Sequence, residues 1–190
     1  PTEAQGPGTY RVQVKVTDNG TPALSVTNSF VLTVADVNSA PVFPVQGPKS
    51  VNELVQLTVT NTATDPDIPA NLVTYQLLNP PEGITIDSAG VIRWTPTEAH
   101  GPHTFTITTV ATDNGNPVLS STNSFNITVN EVNSTPSLTV PADATISELD
   151  LYTNSPAAAD ADLPDNTLTI ALVSGPTGLT VSPSGVIAWT

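Results

Sequence analysis

Residues 1–10 read PTEAQGPGTY, and residues 96–105 read PTEAHGPHTF. The same spacing of 95 residues separates TDNG at 17–20 from a second TDNG at 112–115. Of the 95 residue pairs aligned in this way, 43 are identical, which far exceeds chance agreement. The chain therefore carries an internal repeat, and its length of 95 residues is that of a small domain.

Two copies of a linker phrase mark the predicted boundaries between repeats. VNSAP at 37–41 and VNSTP at 132–136 each place a proline just after a strand pattern, where a strand ends. We predict the back half of one repeat at 1–37, a complete repeat at 38–132 and the front half of a third repeat at 133–190.

Strands are predicted where apolar and polar residues alternate. Tyr10, Val12, Val14 and Val16 alternate with polar residues, which is the pattern of a strand with one buried face. The same inward positions in the second copy are occupied by Phe105, Ile107, Thr109 and Ala111, followed on the next strand by Phe125, Ile127 and Val129. Further strands are predicted at 54–60, 72–78, 84–87 and 91–95, with a tight turn at 87–90.

The composition favours short strands joined by turns. Nineteen prolines and eleven glycines disfavour long helices, and Thr and Val are abundant. About seven short strands in each repeat predict a two-sheet antiparallel β-sandwich of immunoglobulin-like shape. The predicted fold class is therefore all-β, in tandem sandwich repeats.

Charge and motif content exclude several classes of function. A formal net charge of −13, with only four Lys and Arg, repels nucleic acid and anionic lipid. The chain has no Cys, no apolar stretch long enough to span a bilayer, and no GxSxG, HExxH or P-loop phrase. We expect no enzyme, no nucleic-acid partner and no direct membrane insertion. Any export or anchoring signal is expected outside these 190 residues.

Acidic residues stand where predicted strands end. Asp65 and Asp67 lie in TDPD, and Pro66 keeps this segment extended, so that both carboxylates can point at one ion. Asp113 follows an inward-facing row and is expected at one pole of the sandwich. Ca²⁺ binds about six to eight oxygen ligands, drawn from carboxylates, amides and carbonyls. The alternative is that TDPD and TDNG are ordinary turns, in which Asp accepts hydrogen bonds from nearby backbone.

In order and spacing, these motifs resemble those of the cadherin superfamily, in particular the bacterial cadherin-like and dystroglycan-type putative immunoglobulin repeats. The resemblance covers the whole chain. It parallels the family's strand-A glutamate, its DxD, DRE and AxDxGxP motifs and its linker. The residues that carry it are Glu53 in NEL, Asp65 and Asp67 in ATDPD, GVIRWTPTEA at 90–99, Asp113 in ATDNGNP and DVNSAP at 36–41.

The resemblance implies Ca²⁺ at the junctions between repeats, about one ion per junction. Two shared ligands of the family are replaced, because Pro96 stands at the DRE aspartate and Ser39 and Ser134 stand at the second linker aspartate. The ion positions that use them are expected to be weak or lost. The ligands that remain are Asn38, Asp65, Asp67 and Asp113 at one junction and Asn133, Asp160 and Asp162 at the next. The family glutamates Glu53 and Glu98 and the added charges Asp36 and Glu131 complete the candidate metal ligands.

Aromatic residues have simpler interpretations than ligand binding. Trp94 and Trp189 share the parity of apolar neighbours and are expected in the core, although tryptophan also forms sugar-stacking surfaces. His100 and His103 flank a Gly-Pro turn, and the first copy has no histidine at these positions. Both are expected to be solvated loop residues.

The predicted function is an extracellular structural or adhesive array, secreted or on the cell surface. Ca²⁺ would stiffen contacts between neighbouring repeats, since converging carboxylates repel one another without an ion. Bacterial origin and a homophilic, cell-surface protein or glycan partner follow from the resemblance. The alternative is a carbohydrate-binding accessory module of a secreted enzyme. Glu53 and Glu98 could also be read as a glycosidase pair, but a catalytic pair is not expected in a repeated framework.

Residues 1–40 and 136–190 correspond to complementary parts of one repeat. The first carries the last strands of the repeat pattern, and the second carries the earlier ones. Exposed strand edges pair between molecules when one chain donates strands to another. A third hypothesis is therefore association between copies of the chain through these segments.

Overall fold

The computed structural model describes residues 1–182 and 184–190. Apart from two short 3₁₀ turns at Glu3–Gln5 and Glu98–His100, the described elements are strands. No helix in these ranges has the length and apolar character needed to cross a bilayer. The strands are β1 Gly8–Thr17, β2 Ser25–Val34, β3 Lys49–Asn52, β4 Leu57–Thr60, β5 Thr74–Leu78, β6 Thr85–Ile86, β7 Val91–Trp94, β8 His103–Thr112, β9 Ser120–Asn130, β10 Ser137–Thr139, β11 Tyr152–Asn154, β12 Ala157–Ala159, β13 Thr180–Val181 and β14 Ile187–Trp189.

The middle of the chain forms two antiparallel sheets. One has the strand order β3-β9-β8-β5, and the other has the order β4-β7-β6. In the second sheet Val59 lies opposite Ile92, and Leu57 lies opposite Trp94. The all-β fold with sandwich-type repeats, predicted from the sequence, is confirmed.

The core of the middle repeat includes most of the residues predicted to point inward, although Phe105 is only half-buried. Along β9 the buried positions alternate with exposed ones, and along β8 they alternate with half-buried ones, as the pleat of a strand requires. The buried side chains include Ile107, Thr109, Ala111, Phe125, Ile127 and Val129. Trp94 is buried, and its indole N–H donates to the Glu82 carbonyl at 3.1 Å. Trp94 is therefore a core residue and offers no surface to a sugar.

The middle repeat has one strand before the first one predicted in it. The strand predicted at 54–60 is β4, Leu57–Thr60, and Leu54 lies in a turn with a positive φ of 58°. Strand β3, Lys49–Asn52, was not predicted. The Glu53 N–H donates to the Asn130 carbonyl, and the Leu54 N–H donates to the Pro96 carbonyl. The sequence KSVN has only one inward-facing apolar residue, so its alternation is too weak to predict a strand.

The expectation for His100 is wrong in part. His100 is half-buried in the second 3₁₀ turn, and its Nδ1 accepts a hydrogen bond from the Thr97 N–H at 3.0 Å. Its ring also lies edge-on to Phe105. The histidine therefore stabilises the turn that carries Glu98. His103 is exposed, as predicted.

Strands β1 and β2 form an antiparallel hairpin. Tyr10 lies opposite Leu32, and Val12 lies opposite Phe30, so the apolar residues share one face. Residues 133–190 form a three-stranded sheet of order β11-β14-β13 and a separate pair, β10-β12. At the repeat spacing, β11, β14 and β13 match β4, β7 and β6, which have the same order.

Packing groups the chain into two compact units, each discontinuous in sequence. The first consists of Pro1–Lys49, Leu57–Trp94 and Thr106–Asn126. The second consists of Ser50–Gln56, Thr95–Phe105 and Ile127–Thr190. This grouping follows packing and not the repeat, so the boundaries 1–37, 38–132 and 133–190 stay a prediction.

Candidate functional site

The predicted ligands of the first junction come together in the first unit. We call Asn38, Asp65, Asp67, Asn71 and Asp113 the first polar cluster. Asn38, Asp67 and Asp113 are buried, and Asp65 and Asn71 are half-buried. The strand ends hold them in place, because Asp113 directly follows β8 and the Asp65 segment follows the bridge between Val42 and Thr64.

Amide groups lie between the carboxylates of this cluster. The Asn38 Nδ2 donates to Asp113 Oδ2 at 3.0 Å. The Asn71 Nδ2 donates to Asp67 Oδ2 at 2.8 Å and to Asn38 Oδ1 at 2.7 Å. The Ser39 N–H donates to both oxygens of Asp67. These hydrogen bonds offset the negative charge of the cluster from within the protein.

Asn71 was not among the predicted site residues. Its signal in the sequence is its recurrence as Asn166, one repeat later. A lone asparagine in a loop is common, and its bridging role depends on the fold of the segment 65–71. Only the side-chain contacts distinguish it from other polar loop residues.

Asp65 combines a turn with a buried, unpartnered oxygen. Its Oδ1 accepts hydrogen bonds from the backbone N–H groups of Asp67 and Asn71, at 3.2 and 2.9 Å. Its Oδ2 is buried and has no hydrogen-bond partner. The turn interpretation of TDPD therefore accounts for the contacts of Asp65 Oδ1 only. Asp65 Oδ2 remains available to a cation.

Asp113 differs from its counterpart Asp18 in one contact. In both residues Oδ1 accepts from two backbone N–H groups of the following turn, those of Gly115 and Leu119 for Asp113. Only Asp113 also accepts from Asn38, through Oδ2. Burial opposes its ionisation, but the hydrogen bonds from Leu119, Asn38 and Gly115 outweigh burial and lower the pKa of Asp113.

Three glutamates converge in the second unit. One carboxylate oxygen each of Glu53, Glu98 and Glu131 lies within 4.8 Å of the others. We call these residues the glutamate cluster. Glu53 is only 2% exposed, and its Oε2 and both oxygens of Glu131 are buried without a hydrogen-bond partner. The sequence offered all three as candidate ligands and considered Glu53 and Glu98 as a pair, but it did not predict that the three meet.

The turn elements set the geometry of the glutamate cluster. Glu53 follows β3, and its Oε1 accepts from the Val132 N–H at 2.9 Å. Glu98 begins the 3₁₀ turn, and its Oε1 accepts from the Leu163 N–H at 3.0 Å. Glu131 directly follows β9. Gly101 packs directly against the cluster. A Cβ added there would lie 2.5 Å from Glu53 Oε2, so a larger residue would displace Glu53.

The pKa of Glu131 reflects the crowding of negative charges around it. Burial raises the pKa of Glu131, and the negative charges of Glu53, Glu98 and Asp162 raise it further. The negative charges of the cluster are therefore not balanced by positive charges or hydrogen-bond donors among the described residues around Glu131. A cation bound there would relieve this repulsion.

A second polar cluster repeats the pattern of the first in the second unit. Its members are Asn133, Asp160, Asp162 and Asn166. Asp162 is buried and accepts from the Ser134 N–H, the Ser134 hydroxyl and Asn166 Nδ2. Hydrogen bonds from the Ser134 hydroxyl and N–H lower the pKa of Asp162. Asn133 is exposed, and Asp160 accepts from the Asp162 N–H.

The remaining predicted ligand, Asp36, lies outside these clusters. Its side chain is exposed, whereas its counterpart Glu131 has both oxygens buried. The structure thus gathers ten of the eleven candidate ligands into the three clusters. Which of them bind a metal stays a prediction.

Comparisons with known proteins place the chain among cadherin-like repeats. A family model described as "Putative Ig domain" matches residues 38–130. Human Protocadherin Fat 4 is 27% identical over 97% of this chain, and mouse Protocadherin Fat 4 is 32% identical over 67% of it. The chain spans only 4% and 3% of the length of these two relatives.

Solved structures show the same fold. The structure of human CDH23 EC21-23 has a TM-score of 0.60 and 25% identity, covering 94% of this chain and 65% of that one. The Protocadherin GammaB4 extracellular domain has a TM-score of 0.56 and 25% identity, covering 98% of this chain and 35% of that one.

These matches confirm the class expected from the sequence, an immunoglobulin-type β-sandwich repeat related to cadherins. Residues 38–130 match the putative Ig domain family, and the chain is similar over most of its length to cadherin repeats. The two Fat 4 relatives come from human and mouse, so they lend no support to the expected bacterial origin.

Proposed function

We propose that this chain is part of an extracellular structural or adhesive repeat array whose stiffness depends on Ca²⁺. The glutamate cluster carries this proposal. Three carboxylates meet there, and Glu53 Oε2 and the oxygens of Glu131 are buried without hydrogen-bond partners. Buried carboxylates without partners are costly unless a cation or a proton binds them.

The donor set fits Ca²⁺ better than a transition metal. All candidate ligands are oxygens, and the chain has no Cys. Glu53, Glu98 and Glu131 would hold the ion, with Asp162 as the next nearest source of negative charge. The bound ion would supply positive charge and tie together segments that are distant in sequence.

The first polar cluster is a second candidate position for Ca²⁺. Asp65 Oδ2 is buried and unpartnered, which favours a cation beside it. The amides of Asn38 and Asn71 already donate to Asp113 and Asp67, so these amides would have to turn their oxygens towards the ion. We therefore propose tighter binding at the glutamate cluster than at the first polar cluster.

The proposed location and partners follow the relatives. One matching structure is described as an extracellular domain of a protocadherin. An array of this kind contacts neighbouring repeats of its own chain and, at a cell surface, a protein or glycan partner. We propose a structural and adhesive role rather than a catalytic one.

Calorimetric Ca²⁺ titration of the 190-residue chain tests the proposal, with Glu53→Gln and Asp113→Ala as variants. Glu148→Gln is the matched control for Glu53, because it lies one repeat later and outside the glutamate cluster. Asp18→Ala is the control for Asp113, because it makes the same turn without the Asn38 contact. We expect Glu53→Gln to abolish the tighter binding and Asp113→Ala to abolish the weaker one, whereas both controls retain both. Absence of binding at millimolar Ca²⁺ would refute the proposal.

A further inference from the structure

The turn between β3 and β4 contains a leucine in a conformation that leucine rarely adopts. The turn is closed by the Val55 N–H, which donates to the Asn52 carbonyl at 3.3 Å. Leu54, the third residue of the turn, has a positive φ of 58°. Turns usually give such a position to Gly or Asn, which tolerate the left-handed region. A bulky residue there carries backbone strain, and the surrounding contacts have to hold it in place.

The side chain of Leu54 does not account for this strain. It is 68% exposed, so it adds little to the core. The same conformation recurs one repeat later, where Leu149 has a φ of 69° and is 91% exposed. What the two turns share is thus the course of the backbone and not a buried side chain.

The turn takes the chain from one sheet to the other. Strand β3 pairs with β9, and strand β4 pairs with β7. Glu131 directly follows β9, and Glu98 lies shortly after the end of β7. Glu53 stands at the crossover itself, so the path of the turn decides whether its carboxylate meets both of the other glutamates.

Glu53 is fastened on both sides of Glu131. Its backbone N–H donates to the Asn130 carbonyl at 3.1 Å. Its Oε1 accepts from the Val132 N–H at 2.9 Å. Because these contacts involve the residues directly before and after Glu131, they fix the register between the two glutamates.

The next backbone N–H of the turn binds the segment that carries the third glutamate. The Leu54 N–H donates to the Pro96 carbonyl at 2.8 Å, and Pro96 lies two residues before Glu98. The N–H groups of Glu53 and Leu54 thus bind two different segments. The left-handed backbone at Leu54 reverses the chain directly after these bonds, whereas an extended residue would continue β3 and would not close the turn.

We propose that Leu54 is a positioning residue for the glutamate cluster: its left-handed backbone, and not its side chain, holds Glu53 where the three carboxylates meet. The inference rests on the proposed function, which is Ca²⁺ binding at this cluster. A residue that disfavours a positive φ would let the turn relax in the Ca²⁺-free chain. Ca²⁺ would then have to restore the turn, and its apparent affinity would fall in proportion to the fraction of chains in which the turn is formed.

Substitutions at Leu54 separate the backbone from the side chain. Leu54→Gly and Leu54→Asn remove the leucine side chain and accept a positive φ. Leu54→Val keeps an apolar side chain but disfavours a positive φ, because valine is β-branched. Leu149→Val is the matched control, because it strains the corresponding turn of the next copy, and the adjacent Glu148 lies outside the glutamate cluster.

Two measurements on the 190-residue chain test the proposal. Calorimetric titration gives the Ca²⁺ affinity. Hydrogen exchange in EGTA gives the protection factors of the backbone amides of residues 53 and 54, which report the turn without any ion. Because Leu54 is exposed, the variants should keep their fold, which circular dichroism checks.

We expect Leu54→Val to bind Ca²⁺ at least about tenfold more weakly than the wild type, since strain at a positive φ is enough to shift the turn equilibrium by that factor. In EGTA its amides at residues 53 and 54 should lose protection. Leu54→Gly, Leu54→Asn and Leu149→Val should keep the wild-type affinity and the wild-type protection at these two amides.

Wild-type affinity and protection in Leu54→Val would overturn the proposal. So would a loss of affinity in Leu54→Gly as large as that in Leu54→Val, because the leucine side chain would then carry the effect. If the wild-type chain binds no Ca²⁺, the proposed function fails, and the exchange in EGTA still decides the role of Leu54. Protection that is lost in Leu54→Val and kept in Leu54→Gly supports the positioning role, and equal protection in both refutes it.

Discussion

The carboxylate of Glu98 accepts a hydrogen bond from the backbone N–H of Leu163, with 3.0 Å between Oε1 and N. The same contact occurs one repeat earlier, where Glu3 accepts from the Ile68 N–H at 3.4 Å. Leu163 directly follows the buried Asp162. The glutamate of the 3₁₀ turn thus binds the backbone just after the DxD motif, and it does so in both copies.

This contact separates the structural role of Glu98 from its proposed metal role. Glu98→Gln keeps an oxygen that can accept from the Leu163 N–H but removes the negative charge. We expect at least a tenfold loss of Ca²⁺ affinity, which corresponds to about 1.4 kcal/mol, and unchanged protection of the Leu163 amide in Ca²⁺-free hydrogen exchange. Glu98→Ala should lose both properties. Equal Ca²⁺ affinity of Glu98→Gln and wild type would show that Glu98 is only a backbone acceptor.

Gly115 is required by the close approach of Asn38. A Cβ at Gly115 would overlap the Asn38 side chain, whereas a Cβ at its counterpart Gly20 would lie 3.3 Å from Asp18 Oδ1. We expect Gly115→Ala to destabilise the first unit by about 1–3 kcal/mol, as overpacking of a filled site does. Gly20→Ala should change stability by less than about 0.5 kcal/mol. Urea unfolding of both variants measures the difference, and equal midpoints would contradict the packing of Asn38 against Gly115.

The sequence predicted the fold well because the fold depends on a repeated pattern. Alternation in β8 and β9 identified Ile107, Phe125 and Ile127 as core residues, and all three are buried. Strand β3 was missed because its four residues, KSVN, bury only Val51 and show no alternation. Its position depends on pairing with β9, which is a long-range contact that local sequence does not encode.

The candidate site was predicted less completely than the fold. The resemblance to cadherin repeats implied Asp65, Asp67 and Asp113 as ligands of one junction, and each of them stands at the end of a strand or bridge. It did not reveal the glutamate cluster, since Glu53, Glu98 and Glu131 come from three separate segments whose meeting depends on turn geometry. Asn71 was missed for the same reason, because its side chain acts through contacts and not through a motif.

Asn71 offers a way to change the first polar cluster from hydrogen-bonded to ion-dependent. Asn71→Asp replaces the amide that donates to Asp67 and Asn38 with another carboxylate. In EGTA we expect a loss of about 1–3 kcal/mol, because two acceptors lose their donor and charges repel. Ca²⁺ should restore most of that stability, which chemical unfolding with and without Ca²⁺ measures.

The control for this variant is Asn114→Asp. Asn114 is exposed, and its Oδ1 accepts from the Leu72 N–H, a bond that Asp can keep. It adds the same charge beside Asp113 without removing an amide donor from the cluster. If Asn114→Asp loses as much stability as Asn71→Asp, general repulsion explains the effect and the bridging role of Asn71 is wrong.

The stability of the second unit should depend on pH through Glu131. Its pKa in the folded chain is raised above the ordinary value of 4.5, by burial first and then by Glu53, Glu98 and Asp162. A raised carboxyl pKa means that the folded state binds the proton more tightly than the unfolded state. Its contribution to stability is therefore greatest at low pH and is lost as pH rises from about 4.5 through the folded pKa.

Thermal unfolding in EGTA from about pH 5 to about pH 7 tests whether stability falls as pH rises. Glu131→Gln is the control, because its side chain cannot titrate. The lowered pKa values of Asp113 and Asp162 act below 3.8, outside this window. We expect the wild type to lose Tm relative to Glu131→Gln as pH rises, and Ca²⁺ at the upper pH to remove that loss. Parallel Tm curves for the two proteins would mean that Glu131 does not carry the repulsion of the glutamate cluster.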